Sequence, residues 1–339
     1  SFPHFCRGRY TVSRFGSVDA QLTFCAYWID FVQNCSSVMQ PSTFKDYLLL
    51  HFIVLIWGIT SILGLLISLP SLELVFYRTL LAAIGVGILM GLRKESLRVA
   101  PLDLLKIIGV GVLISLHWIF FFWSAKVSTA SVCLAGMATT SLWTSFLDPL
   151  INKKRIKPFE VALGLLVISG LLVIFQFENG YWLGISMALV AAFLSALFSI
   201  LNGRLTFRYS PYQITFYEMG AASLVALLFL PLYSYIDGSA IQWAWKGLDW
   251  FWLLILAGIC TVYAFSVSVE LMKRLPVFSI NLTINLEPVY GILLAVAIFG
   301  EKEKMTEQFY LGTGIILVSV LIYPVLNYWN KKRKPSHQE

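Results

Sequence analysis

One apolar stretch, residues 276–299, carries two amides, a carboxylate and a proline near its middle. The side chains of Asn281, Asn285 and Glu287 are costly in hydrocarbon, so each needs a polar partner or a water-filled cavity. Pro288 removes one helical hydrogen bond and is expected to kink the helix. Asn281, Asn285 and Pro288 share one helical face, and Glu287 lies off it. The pattern predicts a substrate path across a membrane, with Glu287 as its main acid; the alternative is that Glu287 pairs structurally with a neighbouring helix.

Two charged residues occupy matching places in a repeated motif, because LVFYR ends at Arg78 and ITFYE ends at Glu218. Opposite charges at matching positions predict either an ion pair between them or an anion site at Arg78, which rearranges during transport. The alternative is that each side chain extends to its nearer membrane surface or bonds a loop carbonyl.

His117 and Trp118 lie in an aromatic-rich run, SLHWIFFFWS. His117 is either a proton relay, because imidazole titrates near physiological pH, or a hydrogen-bonded packing residue. Trp118 and its neighbours either line a pocket for apolar substrate groups or face lipid. Asp148 is interpreted as an acid that extends toward the basic turn after it, with a gating role as the alternative.

The candidate residues fall into two groups. Those predicted to bind substrate are Trp57, His117, Trp118, Thr140, Trp143, Tyr263, Asn281, Asn285 and Glu287. Those predicted to act in coupling or gating are Arg78, Glu218, Asp148 and Pro288. No metal site and no cofactor is predicted, and the five cysteines show no metal or disulfide spacing.

The composition indicates the element that must position these side chains, a bundle of membrane helices. Hydrophobic residues make up 58% of the chain and charged ones 13%, with a mean hydropathy of +0.78, whereas soluble domains are about 25% charged. The predicted fold class is therefore an all-α membrane protein with ten transmembrane helices. The predicted spans are residues 47–69, 72–92, 104–124, 129–150, 159–176, 181–201, 212–235, 250–271, 276–299 and 308–328.

An internal repeat organises these spans. Shifting residues 276–301 by 148 positions brings them onto residues 128–153 without a gap. Each copy has five spans, so the second copy must start from the opposite side, and the repeats are predicted to be inverted in topology. The predicted domains are a first repeat at 43–177, a second at 178–330 and a basic cytoplasmic tail at 331–339.

The leader, residues 1–42, does not match the rest. Its first 38 residues contain no Met and no Lys, and Met39 follows. We expect a non-native or disordered leader with the native start at Met39; the alternative is a genuine cytoplasmic tail.

The basic residues predict the orientation. Loops on one side carry sixteen Lys and Arg residues, while those on the other carry four, which are Lys126, Lys246, Lys302 and Lys304. Positive charge stays on the cytoplasmic side, so both termini are predicted to be cytoplasmic in a multi-pass protein of the inner membrane. The net charge of +7 lies in short loops between apolar runs and does not indicate nucleic-acid binding.

Several motifs in a fixed order resemble those of the drug/metabolite transporter superfamily, EamA branch. They are WG at 57–58, FYR ending at Arg78, EP at 287–288 and FGE at 299–301. The resemblance implies a carrier that commonly exports amino acids or other small metabolites by alternating access. It also implies a central cavity lined by the first, third, fourth, sixth, eighth and ninth helices. The fourth span departs from the pattern, with Thr139–Thr140 where its repeat partner has Glu–Pro.

The predicted function is secondary transport of amino acids or similar amphipathic compounds, with export as its direction. No GxxxxGK[ST] loop occurs, so coupling is to protons or to substrate gradients. The alternatives are an uncoupled facilitator or exchanger and a membrane scaffold or sensor. An enzyme is not predicted, because no HExxH or GxSxG motif occurs. The predicted partners are a small-molecule substrate and the lipid bilayer, for a monomer or homodimer.

Overall fold

Helices form the regular structure of the part of the chain that the computed structural model describes, residues 41–153, 155–177, 179–237, 240–303 and 305–333. Helices predominate because a lipid-exposed backbone must satisfy its hydrogen bonds internally. The helices are α1 (Phe44–Gly58), α2 (Thr60–Leu66), α3 (Ser71–Arg93), α4 (Pro101–Val127), α5 (Ala130–Met137), α6 (Thr140–Asn152), α7 (Pro158–Phe177), α8 (Trp182–Leu205), α9 (Pro211–Asp237), α10 (Asp249–Leu254), a π-helix (Ile255–Tyr263), α11 (Ala264–Leu271), α12 (Val277–Ile284), α13 (Glu287–Phe299) and α14 (Glu307–Arg333). Two short 3₁₀ turns are Asn179–Tyr181 and Gly300–Glu303. Residues 1–40 of the predicted leader and residues 334–339 of the predicted tail lie outside the described residues.

Eight helical segments within the described residues are long and apolar enough to cross a membrane. They are Phe44–Leu66, Ser71–Arg93, Pro101–Val127, Ala130–Asn152, Trp182–Leu205, Pro211–Tyr235, Asp249–Leu271 and Val277–Phe299. The prediction of a multi-pass helical membrane protein is confirmed. The two remaining predicted spans, 159–176 and 308–328, coincide with α7 and α14. The count of ten spans and the inversion of the repeats stay predictions.

Three membrane segments are interrupted, whereas the sequence predicted a kink only at Pro288. Ile59 separates α1 from α2, residues 138–139 separate α5 from α6, and residues 285–286 separate α12 from α13. The last interruption immediately precedes Pro288, which has no N–H to bond the Ile284 carbonyl. The expected disturbance is therefore present, one turn before the proline ring itself.

Helix α1 crosses α13 at a pair of glycines. A Cβ added at Gly291 would lie 2.6 Å from the Gly58 carbonyl oxygen, and one at Gly58 would lie 3.2 Å from the Glu287 carbonyl oxygen. The two backbones therefore touch, as small residues allow in membrane bundles. This crossing brings Trp57, next to Gly58, to the same side of the bundle as Glu287.

Candidate functional site

A cavity lies in the interior of the described bundle. Its polar lining consists of Thr60, Arg78, His117, Ser195, Ser199, Ser268 and Glu287, and its aromatic lining of Trp57, Trp118, Phe121, Phe198 and Phe265. All of these side chains are buried except Trp57, which is half-buried. The cavity is lined by residues from all the helices that the family resemblance implied. Helix α3 also lines it, through Arg78.

Arg78 on α3 is 2% exposed and is held on two sides. Its Nε donates to Thr261 Oγ1 at 2.9 Å, and its guanidinium carbon lies 3.9 Å from the Trp118 ring centroid and 5.5 Å from that of Phe122. A cation–π contact in a desolvated site is worth about 2 kcal/mol. The two Nη atoms make no hydrogen bond to another described residue. They are therefore the donors that Arg78 can offer to a ligand in the cavity.

Glu287 begins α13 and lines the same cavity. Its carboxylate makes no hydrogen bond to another described residue, although the helix N-terminus favours a negative charge there. No salt bridge joins it to Arg78 in the described part of the chain, and the two groups interact only through space. The cavity thus presents a cation and an acid that do not neutralise each other by direct contact.

His117 on α4 forms part of the cavity wall. Its Nδ1 lies 2.8 Å from the Ala191 carbonyl oxygen, so Nδ1 carries a proton and donates it to that oxygen. The ring packs edge-on against Phe198 at 5.4 Å between centroids. The hydrogen bond and packing predicted as one alternative are present, and the proton-relay role stays a prediction.

Two of the three tryptophans predicted to bind substrate, Trp57 and Trp118, line the cavity. Trp57 donates from Nε1 to the Cys260 carbonyl oxygen at 3.0 Å, which fixes its indole against the π-helix. Trp118 stacks on Arg78 with one face and meets Phe265 edge-on at 6.1 Å. Together with Phe198, these rings form the apolar part of the cavity lining, and Arg78 and His117 pack directly against them.

The two amides of α12 and its following turn face a neighbouring helix instead of the cavity. Asn281 donates from Nδ2 to Thr144 Oγ1 at 2.8 Å, and Asn285 donates to Ser141 Oγ at 2.6 Å. Both are fully buried, and neither lines the cavity. The helical face that carries the amides therefore holds α12 to α6, while Glu287, off that face, reaches the cavity.

Two further substrate-binding candidates lie on α6 outside the cavity lining. Thr140 is buried and donates to the Met137 carbonyl oxygen at 2.7 Å, which is a bond within its own segment. Trp143 meets Phe193 edge-on at 5.3 Å, and its Nε1 is buried without an acceptor in the described residues. Their predicted roles in binding remain predictions.

Three other candidates also lie away from the cavity lining. Tyr263 is 43% exposed and packs edge-on against Phe52 at 6.4 Å. Asp148 accepts a hydrogen bond from the Asn152 side chain one turn later. Pro288 is buried in the first turn of α13, beside the helix interruption.

Arg78 and Glu218 do not form the ion pair that one interpretation predicted. Glu218 on α9 is fully buried and accepts from Asn202 Nδ2 at 3.3 Å, while Arg78 bonds Thr261. Both side chains are buried within the described bundle. The anion site at Arg78 stays a prediction.

Sequence analysis missed Thr261, the only hydrogen-bond partner of Arg78 among the described residues. Thr261 lies in an apolar run, ICTVY, inside a π-helix that no motif signals. Thr261, Phe265, Ser268 and Met272 do follow helical i, i+4, i+7 and i+11 spacing. The last three line the cavity, so this periodicity was the signal that could have found this wall.

A bundle of apolar helices around a buried cavity lined by Arg78 and Glu287 defines a membrane transport protein as the class. Polar groups at this depth are typical of substrate pathways. The model of the EamA-like transporter family matches residues 45–176 and 182–323, and the chain belongs to this family. The resemblance stated from its motifs is thereby confirmed.

Known proteins similar to the chain agree with this class. "Uncharacterized transporter YxxF" of Bacillus subtilis (strain 168) is 22% identical over 260 residues, which cover 74% of this chain and 79% of that protein. One solved crystal structure is similar with a TM-score of 0.62 at 20% identity, covering 84% of this chain and 98% of the solved chain. At that identity the solved structure supports the fold alone.

Proposed function

We propose that this membrane transporter is a secondary carrier for amino acids or similar amphipathic metabolites, working by alternating access with export as its direction. The observation that carries the proposal is that Arg78 and Glu287 face one buried cavity without pairing with each other. A substrate with its own carboxylate and ammonium group can satisfy both charges at once.

The cavity chemistry fits such a substrate group by group. The free Nη edge of Arg78 matches a carboxylate, because guanidinium binds carboxylates with two parallel hydrogen bonds. Glu287 matches an ammonium group, and the wall of Trp118, Phe198 and Phe265 matches an apolar side chain. A proton on Glu287 would compete with the ammonium group, which makes Glu287 the coupling residue in a proton-driven carrier.

Helix contacts support the proposed arrangement of two inverted five-helix repeats, residues 43–177 and 178–330. Helices α3 and α9, α6 and α12, and α7 and α14 pack together, and each pair joins segments that are equivalent in the two repeats. The interruptions at 138–139 and 285–286 also lie within one residue of each other after the 148-residue shift. Alternating access between such repeats places the substrate site near the midplane.

Two aspartates, each at the start of an equivalent segment of the two repeats, each hold one loop. The two loops lie at opposite ends of the bundle. Asp249, which begins α10, accepts from Ser68 Oγ at 2.6 Å and from Ser68 N at 2.9 Å in the α2–α3 loop. Asp103, near the start of α4, accepts from Tyr209 Oη at 2.9 Å and pairs with Arg208 at 3.2 Å in the α8–α9 loop. Burial and the bond to Asp103 raise the pKa of Tyr209, which keeps it a donor. These two anchors are the contacts that opening at either end would have to break.

The proposed orientation rests on the charges of the loops. Loops on one side of the membrane carry sixteen Lys and Arg residues, and loops on the other side carry four. Because positive charge stays on the cytoplasmic side, both termini lie in the cytoplasm and the protein spans the inner membrane. One chain already encloses the cavity, so a monomer suffices for transport, and a homodimer is compatible with it.

Uptake into proteoliposomes tests the proposal. A labelled amino-acid panel is offered to wild-type protein with and without an imposed pH gradient, beside Glu287→Gln and a matched Glu270→Gln. Glu270 lies 3.7 Å from Arg274 and is half-exposed, so it controls for loss of an acid outside the cavity.

Each outcome of this experiment has a defined meaning. Gradient-stimulated uptake that is lost in Glu287→Gln and kept in Glu270→Gln supports coupling at Glu287. Uptake that is the same with and without the gradient, and the same in wild-type protein and Glu287→Gln, indicates a facilitator or exchanger. Folded wild-type protein that takes up no amino acid refutes the proposed substrate class.

A further inference from the structure

Arg78 depends on one side chain for its hydrogen-bonded orientation. The Trp118 ring lies against the guanidinium group, whose carbon is 3.9 Å from the ring centroid, but a flat ring does not set the direction in which the guanidinium N–H groups point. The bond from Nε to Thr261 Oγ1, 2.9 Å long, sets this direction. With Nε occupied, only the Nη1–Nη2 edge remains to receive a carboxylate end-on.

The Thr261 hydroxyl is itself oriented by the π-helix. It donates to the Leu256 carbonyl oxygen at 2.9 Å, five residues earlier. A threonine in an α-helix reaches carbonyls three or four residues earlier, so this bond needs the wider turn of the Ile255–Tyr263 π-helix. Since the only hydroxyl hydrogen points to Leu256, a lone pair must point to Arg78.

The same π-helix holds a second cavity residue. The carbonyl of Cys260, adjacent to Thr261, accepts the indole N–H of Trp57 at 3.0 Å. Two consecutive π-helix residues thus fix one cationic and one aromatic side chain of the cavity. Single-turn π-helices are frequent at functional sites, and here the contacts show what the wide turn positions.

We propose that Thr261 is a positioning residue that sets the guanidinium of Arg78 for end-on recognition of a substrate carboxylate. This inference rests on the proposed function, because it presumes a carboxylate-bearing substrate in the cavity. Thr261 does not line the cavity itself and acts through Arg78.

Equilibrium binding to the purified full chain tests the inference, with labelled L-phenylalanine and its carboxamide as probes. The amide lacks the negative charge, so its binding should not depend on the guanidinium orientation. Thr261→Val keeps the side-chain shape and removes the hydroxyl, and Thr261→Ser restores it. Thr79→Val is the matched control, because the Thr79 hydroxyl is equally buried beside Arg78 and bonds only carbonyls of its own helix, at 2.8 and 3.1 Å.

We expect Thr261→Val to weaken phenylalanine binding about 10-fold or more, the factor for losing a well-oriented charge-assisted hydrogen bond. Amide binding should change little, and Thr261→Ser and Thr79→Val should retain the wild-type preference for the acid. If Thr261→Val does not fold, Thr261→Ala serves the same comparison.

The failure of this inference differs from failure of the proposed function. Wild-type protein that prefers the acid, together with a Thr261→Val variant that keeps the preference, overturns the role of Thr261 alone. Equal losses for acid and amide in Thr261→Val also overturn it, because they indicate a general structural defect. Wild-type protein that binds neither probe, or binds both equally, overturns the carboxylate site and this inference with it.

Discussion

The crossing of α1 and α13 gives a prediction about Gly291→Ala. The added Cβ would lie 2.6 Å from the Gly58 carbonyl oxygen and 2.3 Å from Leu134 Cδ1. The leucine can rotate away, but the carbonyl belongs to the α1 backbone. Real Cβ atoms essentially never approach closer than 3.0 Å, so the two helices must separate by at least 0.4 Å.

The change in unfolding free energy of Gly291→Ala is the sum of two opposing effects. Overpacking a tight contact costs about 1–3 kcal/mol. Alanine in place of glycine in a helix interior returns up to about 1 kcal/mol through helix propensity. Gly220→Ala isolates this second effect, because nothing lies within 4 Å of its added Cβ on α9. The difference between the two variants is therefore the overpacking cost, about 1–3 kcal/mol.

Thermal unfolding of the purified variants measures this difference. We expect the apparent midpoints to fall in the order Gly220→Ala, Gly58→Ala, Gly291→Ala, with a few degrees between the first and the last. Gly58→Ala is intermediate because its nearest contacts are 3.1–3.2 Å, which a small shift relieves. A Gly291→Ala midpoint equal to that of Gly220→Ala would refute the close crossing.

Three further substitutions test the side-chain contacts. Arg78→Lys keeps the charge but loses the planar fork and its 3.9 Å stacking on Trp118, so substrate KM in the uptake assay should rise about 10-fold or more; an unchanged KM contradicts the assigned site. Asn285→Leu and Ser141→Ala should show a coupling energy of about 0.5–1.5 kcal/mol in a double-mutant cycle of unfolding, and strictly additive effects contradict the 2.6 Å bond. Trp143→Phe removes a buried N–H that has no acceptor among the described residues. The free energy regained from that N–H should offset the loss of ring volume, so the thermal unfolding midpoint should shift little; a large fall in the midpoint indicates that the N–H does have a hydrogen-bond acceptor.

The coarse fold was predictable because the bilayer imposes one rule on every span. Apolar runs of about 20 residues must become helices, and the described spans agree with this to within a few residues. The interruptions were less predictable. Pro288 signalled the one at 285–286, but residues 138–139 contain no proline, and only their tertiary setting and the repeat register indicate the break.

Sequence predicted the cavity residues whose charge alone makes them costly in a membrane. It did not predict which face of a helix points into the cavity. Arg78 and Glu287 are too costly in hydrocarbon to lack a purpose, and both line the cavity. The sequence could not tell which face of α12–α13 looks inward. Asn281 and Asn285 were predicted to bind substrate together with Glu287, yet both donate hydrogen bonds to α6 and serve as contacts between helices.

Under the proposed function, the absence of a salt bridge between Arg78 and Glu287 among the described residues favours a zwitterion over an anion as the substrate. If the two side chains formed a buried salt bridge, a substrate would have to break it and leave one charge uncompensated, which costs about 3–5 kcal/mol. Instead, Arg78 is held away by Thr261 and Trp118, and Glu287 bonds no other described side chain. A bound anion would satisfy the guanidinium and leave the carboxylate facing a second negative charge. An amino acid would satisfy both, so under the proposed function the contacts that hold Arg78 also disfavour substrates that carry a single charge.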